Sequence, residues 1–262
     1  MPVPPGSDVP TDLASSTTPV AHNAADVVRL AGNAPTLAHV DARSSVCRAC
    51  PRLVHWREEV AENKRASYKQ DVYWGRPVTG WGSATPRILV MGLAPAAHGG
   101  NRTGRIFTGD RSGDWLYAAL HRAGLATLPT STTAYDGQQL LHTRLTLGVR
   151  CAPPGNKLTP AERDACAPWL VKELSFVLPT VRAVVALGGF GWSALFAALR
   201  GTGVVVPRRV PAFGHGAEVV LESGLVVLGC YHVSQQNTFT GRLTEPMLDA
   251  VFARATMVAR PF

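Results

Sequence analysis

Four apolar runs, each followed by a polar or glycine-rich segment, restrict this chain to few folds. They are Arg87-Ile88-Leu89-Val90-Met91-Gly92, Leu145-Thr146-Leu147-Gly148-Val149, Val181 to Leu187 and Leu225 to Cys230. Runs this short and this continuously apolar read as strands buried on both faces, the mark of a parallel sheet covered by helices. Helical signals lie between them. Thr159-Pro160-Ala161-Glu162 has an N-cap threonine, proline at the first position and glutamate at the third, so two unpaired amides gain partners. Ser112 to Arg122, ending at Gly124, places Trp115, Leu116, Ala119 and Leu120 on one face, and Gly191 to Arg200 does the same with Leu195, Phe196 and Leu199. Val219 to Leu221 and the fourth run form a hairpin around Ser223-Gly224. The expectation is an α/β fold whose central sheet is mostly parallel and whose functional loops lie beyond the C-terminal ends of the strands.

Residues 1–40 are rich in Pro, Ser, Thr, Ala and Asp and show little periodic pattern before Val27. Such a composition buries too little surface to offset ordering entropy, so a mostly disordered tail is expected there, with one folded domain over 41–262. Lys and Arg number 26 against 18 Asp and Glu, a formal charge of +8 that favours a polyanionic partner. No apolar run approaches the roughly 18–20 residues that span a bilayer. Met1 to Val20 lacks a basic start and apolar core. A soluble cytoplasmic protein is expected.

Cys47 and Cys50 form a C-x-x-C pair, and Cys151 and Cys166 are separated by fourteen residues. Disulfides are rare inside cells, whereas four thiolates suit tetrahedral zinc or an iron–sulfur cluster. A redox-active pair or buried thiols remain alternatives. Cys230, within an apolar strand, reads as a core residue.

The loop after the first run is Gly92-Leu93-Ala94-Pro95-Ala96-Ala97-His98-Gly99-Gly100, continuing through Asn101-Arg102-Thr103-Gly104-Arg105-Ile106-Phe107-Thr108-Gly109-Asp110. Its glycines let backbone amides approach a ligand, and it contains no nucleotide-triphosphate motif. Arg150-Cys151-Ala152-Pro153-Pro154-Gly155-Asn156-Lys157 follows the second run, and Tyr231-His232-Val233-Ser234-Gln235-Gln236-Asn237 follows the fourth. Three polar loops therefore meet at one sheet edge.

These segments, together with Trp74 to Gly82, resemble the motifs of the uracil-DNA glycosylase superfamily over about Cys47 to Pro246. The wording is closest to its family 5, also called type B. Ala94 stands where many superfamily members carry an acidic or amide residue, a departure family 5 shares, and Val233 replaces a common proline. The resemblance implies a three-layer αβα fold around a four-stranded sheet and a 4Fe–4S cluster on Cys47, Cys50, Cys151 and Cys166. It also implies a monofunctional, monomeric enzyme that excises uracil, hypoxanthine and exocyclic-adduct cytosine from double-stranded DNA, starting base excision repair.

The same match assigns roles. Breaking an N-glycosidic bond leaves an oxocarbenium-like sugar and an anionic base, so both charges need stabilisation. Asp110 is the candidate for the sugar side, although it also suits an N-cap. Asn156 is matched to positioning water or binding the base, against a turn-forming role beside Gly155. His232 is matched to donating a hydrogen bond to the leaving base as a neutral imidazole, against a structural histidine. Phe107 is placed to stack on an extruded base or to be core. Gly92, Ala94 and Ala96 are expected to line the pocket, Ser234 and Asn237 to meet phosphate, and Gln235 and Gln236 to occupy the place of a wedge. Arg102, Arg105, Arg111 and Arg242 are expected along a basic groove. Two other classes compete: a nucleic-acid-binding module with degenerate loops, favoured by Ala94, and a metal-dependent nucleotide hydrolase, which lacks an H-x-x-x-H or paired-carboxylate signature.

Overall fold

The computed structural model describes residues 1–260. In chain order the elements are α1 (Ala24–Gly32), α2 (Leu37–Ser45), α3 (Pro51–Asn63), β1 (Trp81–Gly82), β2 (Ile88–Gly92), α4 (Gly100–Thr103), α5 (Arg111–Arg122) and β3 (Thr143–Leu147). Then follow α6 (Pro160–Val177), β4 (Ala183–Leu187), α7 (Gly188–Gly201), β5 (Glu218–Val220), β6 (Val226–Cys230), α8 (Gln235–Phe239) and α9 (Glu245–Ala259).

The sheet runs β1-β3-β2-β4-β6-β5. Its four central strands are parallel, as expected, while β1 and β5 close the edges in antiparallel pairing. Six strands thus replace the expected four. β5 is the first arm of the expected hairpin. β1 is only two residues long, too short for a period-two pattern to register.

Alternation within the strands builds the layers. Ile88, Val90, Ala183 and Val185 face one core with Leu116, Leu120, Val251 and Phe252, from α5 and α9. Leu89, Met91, Val184 and Ala186 face the other with Leu170, Leu174, Leu195 and Leu199, from α6 and α7. The result is the αβα sandwich. The chain leaves β2 toward β3 on one side and returns past β2 to β4 on the other, so the loops after β2 and β4 diverge to opposite faces. A crevice opens at that place.

The second strand lies at Thr143–Leu147, two residues before the expected run, and it buries polar side chains. Arg144 is buried because its guanidinium meets Asp41 at 2.8 Å and Glu173 at 2.6 Å, while Thr146 Oγ1 donates to Glu173 at 2.7 Å. Arg150 also pairs with Glu173. The Thr159 capping box on α6 forms as expected.

The expected disordered tail over 1–40 is corrected by this structure. Helices α1 and α2 pack on α6, with Val27, Leu30, Ala31 and Val40 gathered around the fully buried Trp169. Farther upstream, the buried Asp12 carboxylate grips the Arg76 guanidinium at 2.9 and 3.0 Å, and Val3 N donates to Trp74 O at 3.0 Å. Composition failed as a guide because the polar residues anchor this segment to the domain and the apolar ones meet partners more than a hundred residues away. Among the described residues, no helix is long and apolar enough to cross a membrane.

Candidate active site

Strand β2 ends at Gly92, and the residues after it fold back over the sheet edge. A Cβ on Gly92 would stand 3.0 Å from both Phe107 Cζ and Leu147 Cδ2. Glycine is needed there for the Phe107 ring to lie across the end of the strand. Phe107 itself has φ of 51°, a left-handed conformation unfavourable for an aromatic residue. Its neighbours hold it there. The Arg105 guanidinium, buried, donates to both Asp136 oxygens at 2.6 Å and to Ser131 Oγ at 2.7 Å, and its Nε donates to Thr108 Oγ1 at 3.0 Å. Tyr117 Oη donates to Ile106 O at 3.2 Å.

That network corrects the basic groove expected from four arginines. Arg105 is used inside the loop, and Arg102 is largely enclosed, donating to His98 O, Gly109 O and Asp71. Arg111 and Arg242 are exposed. Nothing local in the sequence marks Asp136 as the partner of Arg105, since the pair closes a loop of some thirty residues.

Asp110 fulfils both of its readings. Its Oδ1 accepts from Gly113 N at 2.9 Å and caps α5, while the side chain lines a cavity of about 40 Å³. Burial raises its pKa above the ordinary carboxylate value, against the backbone amides of Gly113 and Ser112, which lower it. A carboxylate so tuned is a stronger base than an exposed one. Gly99 makes its placement possible, because a Cβ there would overlap Asp110 Oδ2. Gly99→Ala is therefore expected to turn the carboxylate aside and lower any Asp110-dependent rate by about 10²-fold, the low end of the contribution of a positioned acid–base group. The melting temperature should fall about as far as in Asp110→Ala, because a carboxylate turned aside no longer caps α5 at Gly113 N. Wild-type rate in Gly99→Ala would show that the carboxylate's position does not matter.

His232 lines the same cavity. Its ring lies 6.2 Å from that of Phe107, inclined at 44°. Gly188, with φ of 81°, lets the start of α7 pass beneath it: a Cβ there would meet His232 Cβ at 3.3 Å. Burial pushes the imidazole down to about 4. Its folded value lies below the ordinary value of about 6.5, so the unfolded chain takes up this proton more readily. The stability it confers is complete above about 6.5 and is lost as pH falls toward 4. Asp110 has the opposite sign, since the folded chain holds its proton more tightly than the unfolded one. The expected pH–rate profile has an acid limb above the ordinary carboxylate range and no limb at the usual histidine value. A limb near 6.5 that disappears in His232→Gln would contradict a neutral imidazole.

The cavity wall is completed by Ala94, Pro95, Ala96, Ile106, Phe107, Ser112 and Leu147. It brings together Asp110, His232, Phe107, Ala94 and Ala96, with Gly92 beneath the ring. It has room for about three waters at roughly 10–15 Å³ each by this measure, so the alanine run does not make it spacious. Three expected residues stand apart. Asn156 is exposed in a tight turn at φ of 58°, next to Gly155 at 57°, and is absent from the wall. Ser234 occupies the N-cap position of α8, without a side-chain capping hydrogen bond, and is absent from the cavity wall. Asn237 donates its amide to His232 O at 2.8 Å, so it holds the histidine loop. A larger cavity of about 750 Å³ lies between the N-terminal segment and residues 71–74 and 133–135, away from Asp110 and His232.

Cys47, Cys50, Cys151 and Cys166 line one apolar cavity of about 20 Å³ with Leu53, Val149 and Trp169. Four segments meet there: the α2–α3 connection, the N-cap of α3, the loop after β3 and the body of α6. Among the described residues, no group of three or more His, Cys, Asp or Glu side chains is placed to hold a single metal ion. The donor set is all sulfur and the surroundings are apolar. The buried Arg57 brings Nη1 to 2.9 Å from Cys151 Sγ and donates Nη2 to Cys47 O at 3.0 Å, while its Nε has no partner. A guanidinium aimed at sulfur fits thiolate better than thiol. Cys230 lies in the sheet core, apart from the four.

With this geometry in place, the family relationships are direct. The family model described as the uracil DNA glycosylase superfamily matches residues 79–256. A protein of Mycobacterium tuberculosis named type-5 uracil-DNA glycosylase is 57% identical over 98% of this chain and 95% of its own length. Proteins of the same name from Mycobacterium leprae and Thermus thermophilus are 58% and 50% identical, over 88% and 82% of this chain and 99% and 94% of their own lengths. The chain belongs to the uracil-DNA glycosylase superfamily and, within it, to the type-5 family.

Proposed function

We propose that this protein is a monofunctional DNA glycosylase that hydrolyses the N-glycosidic bond of uracil, hypoxanthine and exocyclic-adduct cytosine in duplex DNA, the opening step of base excision repair. The observation that carries this reading is the cavity shared by a buried carboxylate, Asp110, and a neutral imidazole, His232, at the C-terminal edge of the sheet.

The chemistry follows from that pair. As the bond between the sugar C1′ and the base nitrogen breaks, its electron pair leaves with the base and positive charge spreads over C1′ and the ring oxygen. A water oxygen adds to C1′, and its proton passes to the Asp110 carboxylate. The carboxylate also faces the positive sugar, where an anion lowers the barrier. His232 donates a hydrogen bond to a base oxygen and disperses the leaving group's charge without transferring a proton. Phe107, held in its left-handed conformation by the Arg105 network, offers a ring to the extruded base. Asn156, exposed on the loop after β3, is assigned to positioning the water or contacting the base once DNA is bound. Ser234 is assigned to phosphate and Asn237 to fixing His232.

Cys47, Cys50, Cys151 and Cys166 would hold a 4Fe–4S cluster, which supplies a covalent tie between α3, α6 and the loop after β3. Arg57 accompanies it as a buried cation. The broader substrate range is tested by single-turnover excision from duplexes carrying one uracil, one hypoxanthine or one ethenocytosine. Release of all three supports the reading. Release of uracil alone restricts it to that base.

A further inference from the structure

His215, in the connection between α7 and β5, lies half-buried against Tyr231, the residue that precedes His232. The two ring centroids are 5.1 Å apart, inclined at 39°, and the Tyr231 backbone N–H donates to His215 Nδ1 at 3.2 Å. An accepting Nδ1 leaves the ring proton on Nε2, so this contact sets the tautomer. Burial also lowers the pKa of this histidine, against a hydrogen bond to the Met247 backbone that raises it. A backbone N–H just past the end of a strand has no ladder partner and needs one, which any acceptor supplies. The surroundings of His215 point to a more specific task.

The segment that carries His215 is fastened to β6. Gly216 N donates to Gly229 O at 2.8 Å, Gly229 N donates to Ala217 O at 2.7 Å, and a Cβ on Gly229 would collide with Gly214 O. Glycine at 229 thus lets the His215 turn close directly on the strand that leads into Tyr231 and His232. On the other side, Asn237 Nδ2 donates to the His232 carbonyl oxygen at 2.8 Å. The chain is therefore pinned one residue before His232 and again at its own carbonyl. Only a few backbone torsions lie between the two bonds, so each limits where the His232 ring can point. A hydrogen-bond donor aimed at a developing anion loses much of its effect when misaligned.

We infer that His215 is a positioning residue for His232: its neutral imidazole accepts the Tyr231 N–H and keeps the His232 ring aimed at the leaving base. This rests on the glycosylase reading above. The test is single-turnover excision of uracil from a duplex by the full chain. His215→Phe keeps a ring against Tyr231 but removes the acceptor, and should lower the rate about tenfold, the scale of one hydrogen bond, with duplex affinity unchanged. His215→Asn, whose amide oxygen can take the place of Nδ1, should recover most of the rate. In a His232→Gln background, His215→Phe should cost little more, because residues that act as a unit are not additive. The same loss in both backgrounds, or no loss in either, would overturn the inference. So would equal losses in His215→Phe and His215→Asn. Heteronuclear NMR spectra of the wild-type histidine rings, which need no variant, should show His215 as the Nε2–H tautomer; the Nδ1–H tautomer would also overturn it. A wild-type protein that releases no uracil ends the glycosylase reading and this inference together, whereas uracil release unaffected by His215→Phe ends this inference alone.

Discussion

Asp110→Ala is expected to lower the single-turnover excision rate by about 10²–10⁴-fold, the contribution typical of a positioned general base, with duplex affinity changed only a few-fold. The carboxylate acts on charge that develops during bond cleavage, so its removal should appear in the chemical step. The substitution also removes a helix cap, at a cost of about 0.5–2 kcal/mol in stability. Asp110→Asn separates the two effects. The amide oxygen can still accept from Gly113 N, so the melting temperature should stay close to wild type while the rate falls nearly as far as in Asp110→Ala. If Asn at this position retains the wild-type rate, Asp110 is a cap and the proton acceptor is elsewhere. If Ala weakens duplex binding in proportion to the rate, its role is in binding.

Cys151→Ala is expected to have the largest effect on folding. Cys151 is the most enclosed of the four cysteines and is the one that Arg57 contacts. Removing it leaves Arg57 Nη1 facing a methyl group, with Cys47 O and the more distant Glu58 carboxylate as the remaining partners, and a buried donor that loses its acceptor costs on the order of 1–3 kcal/mol. The cluster would also lose one of four ligands. Cluster ligation and folding are coupled, as at other metal sites, and a domain with the usual 5–15 kcal/mol of stability cannot absorb both losses easily. The variant should be mostly insoluble, and any soluble fraction should lack the iron, the acid-labile sulfide and the broad visible absorption that the proposed cluster would give the wild-type protein. Cys230→Ala is the control and should keep all three, since Cys230 lies in the sheet core. A soluble Cys151→Ala protein with wild-type iron content would remove Cys151 from the ligand set.

Features set by neighbouring residues were legible from the chain. The Thr159-Pro160-x-Glu162 cap formed as read because all its hydrogen bonds lie within one turn. The four parallel strands were legible because burial on both faces leaves a continuous apolar run. The two-residue offset of the second strand was not, because Arg144 and Thr146 are buried only through Asp41 and Glu173, contributed by α2 and α6. The ordered N-terminal segment escaped for the same reason: Asp12 and Arg76 form a pair 64 residues apart. In the site, Asp110, His232 and Phe107 were recognised from motif wording, and the cavity brings them together. The glycines at 99 and 188 have a definite purpose only once Asp110 and His232 are seen against them. Asn156 shows the opposite case, a residue matched by wording whose turn keeps it away from the cavity wall.

The central claim is hydrolysis of a glycosidic bond by the Asp110–His232 cavity, and product analysis on a labelled duplex containing one uracil tests it most directly. Single-turnover conditions with a chelator of divalent cations present remove the metal-dependent hydrolase reading from the outcome. The expected result is free uracil in equal amount to an alkali-sensitive abasic strand, with no strand break before alkali and both products greatly reduced in Asp110→Asn. Tight, salt-sensitive duplex binding with no uracil released would contradict the claim and identify the protein as a binding module.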